Sequence, residues 1–143
     1  MLEAVHHVAI IAGDFERSRA FYRDVLGFTV VAEHYRDARR SWKCDLRHGS
    51  VQIELFSFPD PPPRPSGPEA CGLRHLAFTV ADVEAAASSL RNKGVAVEPV
   101  RVDPYTGKRF TFLADPDGLP LELYEAQSPA GLEAPLCGGA RAV

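Results

Sequence analysis

No apolar run in this chain approaches the roughly 18 residues that a membrane-spanning helix needs. The start, Met1 to His6, lacks the basic end and apolar stretch of a secretory signal. Cysteine is scarce: Cys44, Cys71 and Cys137 are an odd number, and no two have Cys-x-x-Cys spacing. They read as reduced thiols in a cytoplasm, not as a disulfide framework. Positive charge is in deficit, with a net charge of −3. That gives no electrostatic case for a nucleic-acid or membrane partner.

What is present suits one globular domain. The chain has 143 residues, 45% hydrophobic and 24% charged. Within it lies a repeat. His7 and Glu54 are 47 positions apart, as are His75 and Glu122, and the two pairs are offset by 68. The contexts match too: His7-Val8-Ala9-Ile10 against His75-Leu76-Ala77-Phe78, and Ile53-Glu54-Leu55-Phe56 against Leu121-Glu122-Leu123-Tyr124.

The repeat divides residues 1–126 into module one (about 5–58), a linker (about 59–72) and module two (about 73–126). Six of the ten residues from Pro59 to Pro68 are proline, so the connector is stiff and extended. The tail, 127–143, is rich in Gly, Ala and Pro and is expected to be flexible. Each module opens with a strand, Val5 to Ala12 or Leu73 to Val80. A helix follows: Phe15 to Leu26 after the N-cap Asp14, and Val83 to Lys93 after Asp82. Three further strands complete module one, at Thr29 to Tyr35, Trp42 to Arg47 and Val51 to Ser57. Their counterparts in module two are Val95 to Arg101, Arg109 to Ala114 and Leu119 to Glu125. The fold class is α+β: two tandem βαβββ modules forming a curved, open, barrel-like sheet with helices on its convex side.

Strand side chains alternate between faces. Ile53 and Leu55 oppose Glu54 and Phe56, and Leu121 and Leu123 oppose Glu122 and Tyr124. His7 shares a face with Ala9 and His75 with Ala77, where the small alanines leave room for a ligand. A single strand His or Glu is usually a surface residue. Four in one register are different. Converging carboxylates repel and lose solvation unless a cation compensates. Two His and two Glu therefore suggest one divalent metal.

The segment from His7 to Asp14, then Ser18, Phe21-Tyr22 and Leu26-Gly27-Phe28, resembles the N-terminal signature of the vicinal oxygen chelate superfamily. Asp115-Pro116-Asp117-Gly118 followed by Leu121-Glu122-Leu123 resembles its C-terminal signature. The ligand order is most similar to short bacterial glyoxalase I, and implies His7, Glu54, His75 and Glu122 as metal ligands. The chain also resembles a narrower bacterial glyoxalase-like subgroup without a settled substrate. Pro59, Arg64-Pro65-Ser66, Pro68-Glu69-Ala70-Cys71-Gly72 and Asp103 to Phe110 carry that likeness.

The resemblance implies a lactoylglutathione lyase-like enzyme of methylglyoxal detoxification. Its substrate would be a small molecule, the thiohemiacetal of a 2-oxoaldehyde. The metal would bind two adjacent oxygens and stabilise an enediolate. Glu122 would be the base, with Glu54 as its catalytic partner. Two nitrogen and two oxygen ligands with waters suit Ni, Co, Mn or Fe, and Zn also binds such a set. The short form favours Ni or Zn. The family also implies a homodimer, with one chain's His7 and Glu54 meeting the other's His75 and Glu122, although one chain folding its own modules together remains open.

Two positions depart from the glutathione-binding pattern: Ile11 stands where an arginine is expected, and Phe58 where an asparagine is expected. The basic set Arg36, Arg39, Arg40, Lys43, Lys108 and Arg109 is a candidate for an acidic substrate tail. The plain alternative is that Arg36, Arg39 and Arg40 form a solvated turn. Arg109 is expected to face the cavity, and Phe56, Phe58, Tyr105 and Tyr124 to line its apolar part. His6 is expected on the opposite face from His7. The alternatives are another metalloenzyme of the same scaffold (epimerase, thiol transferase or dioxygenase) or a non-catalytic binding protein.

Overall fold

Strand pairing in the computed structural model, which describes residues 1–126, closes within each repeat. The tail and Cys137 lie outside the described residues. The elements of module one are β1 (Val8–Ala12), α1 (Phe15–Ala20), β2 (Thr29–Arg36), β3 (Ser41–His48) and β4 (Val51–Ser57). Those of module two are β5 (Leu76–Val80), α2 (Val83–Asn92), β6 (Arg101–Val102), β7 (Arg109–Ala114) and β8 (Pro120–Glu125). The strands form two four-stranded mixed sheets, ordered β1-β4-β3-β2 and β5-β8-β7-β6. In each sheet the opening strand runs parallel to the last, and the remaining pairs are antiparallel.

Both opening strands are shorter than the apolar pattern suggests. β1 begins at Val8, opposite Ile53, and β5 begins at Leu76, opposite Leu121. Their parallel partners run out just beyond, at Val51 and Pro120. His7 and His75 thus sit immediately ahead of the ladders. The strand expected from Val95 to Arg101 shrinks to Arg101–Val102, with a single bridge from Val97 to Leu113. Pro99 lies between these two pieces, has no N–H to donate and interrupts the ladder.

Asp14 caps α1 by accepting from the Arg17 N–H, and Asp82 caps α2 by accepting from Ala85. The first helix is not regular to its end. Phe21–Val25 form a wider π-helical turn, closed by the Leu26 N–H donating to the Phe21 carbonyl at 3.1 Å. In this turn Tyr22 is fully buried, and its hydroxyl donates to Asp115 at 2.9 Å.

The bond from Tyr22 to Asp115 joins the modules. Asp115 sits in the turn before β8 and also accepts from the Asp117 and Leu119 N–H groups. Asp117 accepts from the Gly13 N–H and the Ser18 hydroxyl, each at 3.1 Å. Burial, with the adjacent Asp115 carboxylate, pushes the Tyr22 phenol well above its ordinary range. Phe28 packs edge-on to Phe78 across the same boundary, 6.0 Å between ring centres. One core includes Ile10, Ile53 and Leu55 from module one and Leu90, Leu121 and Leu123 from module two. α1 packs on β4, and α2 on β7 and β8. The opposite face of each sheet carries the ionisable residues. No helix among the described residues is long and apolar enough to cross a membrane.

Candidate metal centre

Burial alternates along the strands as the residue pattern requires. Ile53 and Leu55 are fully buried, while Glu54 and Phe56 between and beyond them are only partly so. Ala9 and Ile11 are exposed, and Ile10 and Ala12 are buried. Pairing then collects one open face per sheet. Asp45 stands opposite Glu54 and Lys43 opposite Phe56. In module two the equivalent partners are Phe112 opposite Glu122 and Phe110 opposite Tyr124.

Each His meets the Glu of its own module. His7 Nε2 lies 3.6 Å from Glu54 Oε2, and His75 Nε2 lies 3.1 Å from Glu122 Oε2. One chain therefore offers two separate His–Glu half-sites. Among the described residues, no three His, Cys, Asp or Glu gather as a metal site. Each half-site still has suitable donors: an imidazole nitrogen and a carboxylate oxygen turned to the same space. Two half-sites brought together would supply two nitrogens and two oxygens.

The half-sites differ in their surroundings. Glu54 accepts from Lys43 at 3.1 Å through Oε1, leaving Oε2 on the His7 side. Lys43 also pairs with Asp45. Burial opposes the charged ammonium, but the bonds to Asp45 and Glu54 outweigh it and raise the Lys43 pKa. Among the described residues Glu122 has no such cation. His75 stands edge-on to Phe112 at 5.3 Å, and Phe110 stacks on Tyr124 at 6.5 Å. A cavity of about 1080 Å³ opens there, lined by His75, Glu122, Phe110, Phe112, Arg64 and Arg101.

Phe56 and Phe58 stack at 6.2 Å on the module-one face. Arg36 lies over both rings, 4.8 Å from the first centroid and 5.7 Å from the second. Tyr124 reaches Asp103 at 2.9 Å and also contacts Thr106. Asp103 is held below the usual carboxylate range by the Tyr105 N–H and then by the Tyr124 hydroxyl.

Several expected site residues lie elsewhere. Tyr105 is 95% exposed in the turn before β7, whose Asp103 and Thr106 are the residues that contact the Tyr124 hydroxyl. Arg109 alternates with Phe110 and Phe112, so it has the parity of Thr111 and Leu113 and does not face the cavity. Lys108 turns its ammonium to the Ala126 carbonyl at 3.3 Å. Arg39 and Arg40 are exposed in the turn before β3, but Arg36 is not part of a solvated turn. His6 does not point away from His7, because β1 has not begun there and strand alternation does not apply; their Nδ1 atoms are 2.9 Å apart.

Three residues escaped the sequence reading in these positions: Asp45 beside Lys43, Arg101 over Phe110 at 4.9 Å, and Ser41 beneath Arg36. Strand parity carried the signal for Asp45, which is two residues from Lys43 and opposite Glu54.

Comparison with known proteins agrees with this architecture. The sequence profile of the Glyoxalase/Bleomycin resistance protein/Dioxygenase superfamily matches residues 4–123. The Escherichia coli (strain K12) protein YaeR is 65% identical over 125 residues, covering 87% of this chain and 97% of that protein. A 2-epi-5-epi-valiolone epimerase from Actinomyces sp is 35% identical over 152 residues, covering 91% of this chain and 83% of that protein. The crystal structure of a glyoxalase family protein from Enterococcus faecalis superposes with a TM-score of 0.82 at 48% identity, covering 86% of this chain and 98% of that one. The chain belongs to the Glyoxalase/Bleomycin resistance protein/Dioxygenase superfamily.

Proposed function

We infer that this protein is a metal-dependent lyase or isomerase of the glyoxalase I type that works as a homodimer. His7 and Glu54 of one protomer, with His75 and Glu122 of its partner, would hold one divalent ion. The observation that carries this reading is the pair of matched His–Glu contacts, 3.6 and 3.1 Å, one on each open face and neither complete in itself. A bound divalent ion supplies Lewis acidity toward two adjacent substrate oxygens. Nickel or zinc suits the donor set; cobalt, manganese and iron suit it as well.

The protein's own groups would then divide the work. Glu122, with no lysine or arginine beside it among the described residues, takes a carbon-bound proton and returns it to the adjacent carbon. Glu54, tethered by Lys43, stays in place as a ligand. The aromatic wall of Phe110, Phe112 and Tyr124 limits water around the reacting carbon. The first substrate to test is the thiohemiacetal of methylglyoxal.

A second reading is a proton-transferring epimerase on the same ligands. The apolar Ile11 and Phe58 favour it, because neither offers a polar partner to glutathione. Epimerisation needs the same proton abstraction without a thiol. One preparation discriminates the two readings. Metal content is measured first, then turnover of methylglyoxal with glutathione and other thiols. Turnover with any thiol supports the lyase. Bound metal without turnover on any thiol counts against the lyase and leaves the other metalloenzymes of this scaffold, the epimerase among them. A protein that neither binds nor is activated by a divalent ion would rule out both.

A further inference from the structure

The geometry points to an anion subsite on the module-one face, formed by Arg36 and Lys43 beside Glu54, that takes a substrate carboxylate. This rests on the metal reading above and adds a substrate class to it.

Arg36 is held as a presented cation. It lies flat over Phe56 and Phe58, and its Nη2 donates to the buried Ser41 hydroxyl at 2.8 Å. Its Nε is shielded from solvent without a hydrogen-bond partner. Among the described residues no carboxylate lies within ion-pair distance of this guanidinium; several other arginines share that, but Arg36 is the one held over the Phe56 and Phe58 rings. Ring stacking occupies the faces of this guanidinium, Nε is shielded and Nη2 is held by Ser41, which leaves Nη1 to meet a carboxylate oxygen.

Lys43 borders the same ring, 5.9 Å from the Phe56 centroid. An ammonium has three donors. Asp45 and Glu54 take two of them and leave one. Arg36, Phe56, Lys43 and Glu54 therefore form a continuous path from the open cation to the half-site. Its floor is apolar, since Ile11 pairs in register with Phe56 and is 55% exposed.

Charge balance selects the occupant. In the assembled site the two glutamates offset a divalent ion, and Asp45 offsets Lys43. On the module-one face Arg36 then remains uncompensated among the described residues, and a singly charged carboxylate matches it there; Arg64, on the module-two face, is engaged with the Leu73 and Arg74 carbonyls. The substrate would thus carry a carboxylate on a short apolar stem beyond its two chelating oxygens. That is a different attachment from the polar positions replaced here by Ile11 and Phe58.

The test uses hydroxamates, which chelate a divalent ion through two adjacent oxygens. One series ends in a carboxylate (N-hydroxysuccinamate, N-hydroxyglutaramate) and the other in a methyl group (butyrohydroxamate, pentanohydroxamate). Binding to the full chain loaded with Co²⁺ is followed by visible absorption and calorimetry. The carboxylate series is expected to bind about tenfold tighter, as one charge-assisted bond allows. Arg36→Met should abolish that preference, leaving methyl-series affinity and cobalt content unchanged. Arg36→Lys should retain part of it, and checks that the face still folds. Equal affinities in the unsubstituted protein, or equal weakening of both series by Arg36→Met, would overturn the subsite alone. Failure to load any divalent ion would overturn the metal reading and the subsite with it.

Discussion

Lys43 holds Glu54 by one carboxylate oxygen, Oε1, at 3.1 Å, while the other oxygen faces His7. Glu122 has the same register, yet Phe112 stands across the ladder from it and no lysine reaches it among the described residues. The duplicated sequence has thus produced two glutamates with different freedom. A tethered carboxylate suits a fixed ligand, and an untethered one suits a group that must leave its ligand position and carry a proton.

The first prediction separates them. Glu122→Gln should still bind one divalent ion and lose about a hundredfold or more in kcat, the usual scale for removing a general base. Glu54→Gln should instead weaken metal binding, because it leaves the Lys43 ammonium without one of its two carboxylates. Metal titration and steady-state kinetics on both variants check this. Equal metal loss in both would show that the tether does not distinguish them.

Gly13 lies where the modules meet, and its N–H donates to Asp117. A Cβ there would come within 2.7 Å of Asp117 Oδ1. Gly13→Ala should therefore push Asp117 off both Gly13 and Ser18. The expected cost is about 1–3 kcal/mol, the range for overpacking and a lost charged acceptor. Urea denaturation measures it. Gly67, where an added methyl group would have nothing within 4 Å, is the control.

The module boundary also predicts a pH dependence. The Tyr22 phenol is raised in the folded state, first by burial and then by the Asp115 carboxylate. An unfolded tyrosine ionises near pH ~10. Above that pH the unfolded chain loses a proton that the folded chain keeps, so folding stability should fall. Below it Tyr22 is neutral in both states and its contribution is fully present. Tyr22→Phe should remove this group's share of the alkaline loss, at a cost of about 1.5–3 kcal/mol at neutral pH for the lost hydrogen bond to a buried carboxylate. Thermal melts across the alkaline range, with and without the substitution, read both effects.

Much of this was legible from residue spacing. Strand alternation, a strict period of two, put Glu54 opposite Ile53 and Leu55 and Glu122 opposite Leu121 and Leu123; His7 and His75 precede their strands, and each still lies beside the Glu of its own module. Val51–Ser57 and Arg109–Ala114 fall where the pattern put them. The misses have local causes. Pro99 removes a ladder donor and shortens β6. The helix repeat of 3.6 does not foresee the π-helical turn at Phe21–Val25, within which Tyr22 bonds Asp115 of the other module. Arg109 was placed by adjacency to Phe110, although adjacency in a strand means the opposite face. Lys43 was noted as a basic residue, but its contact with Glu54 needs the β3–β4 register, and a single sequence does not print that register.

The central claim is that each metal site joins half-sites from two protomers, and subunit mixing tests it most directly. His7→Ala and His75→Ala chains, carrying different affinity tags, are purified separately and then mixed to form a heterodimer. Each variant alone should bind metal poorly, because every site in it lacks one imidazole. In the heterodimer one site lacks both imidazoles and the other is intact. The expected result is recovery of one tightly bound ion per heterodimer. If the four ligands instead came together within each chain, both sites would stay defective and metal binding would not recover.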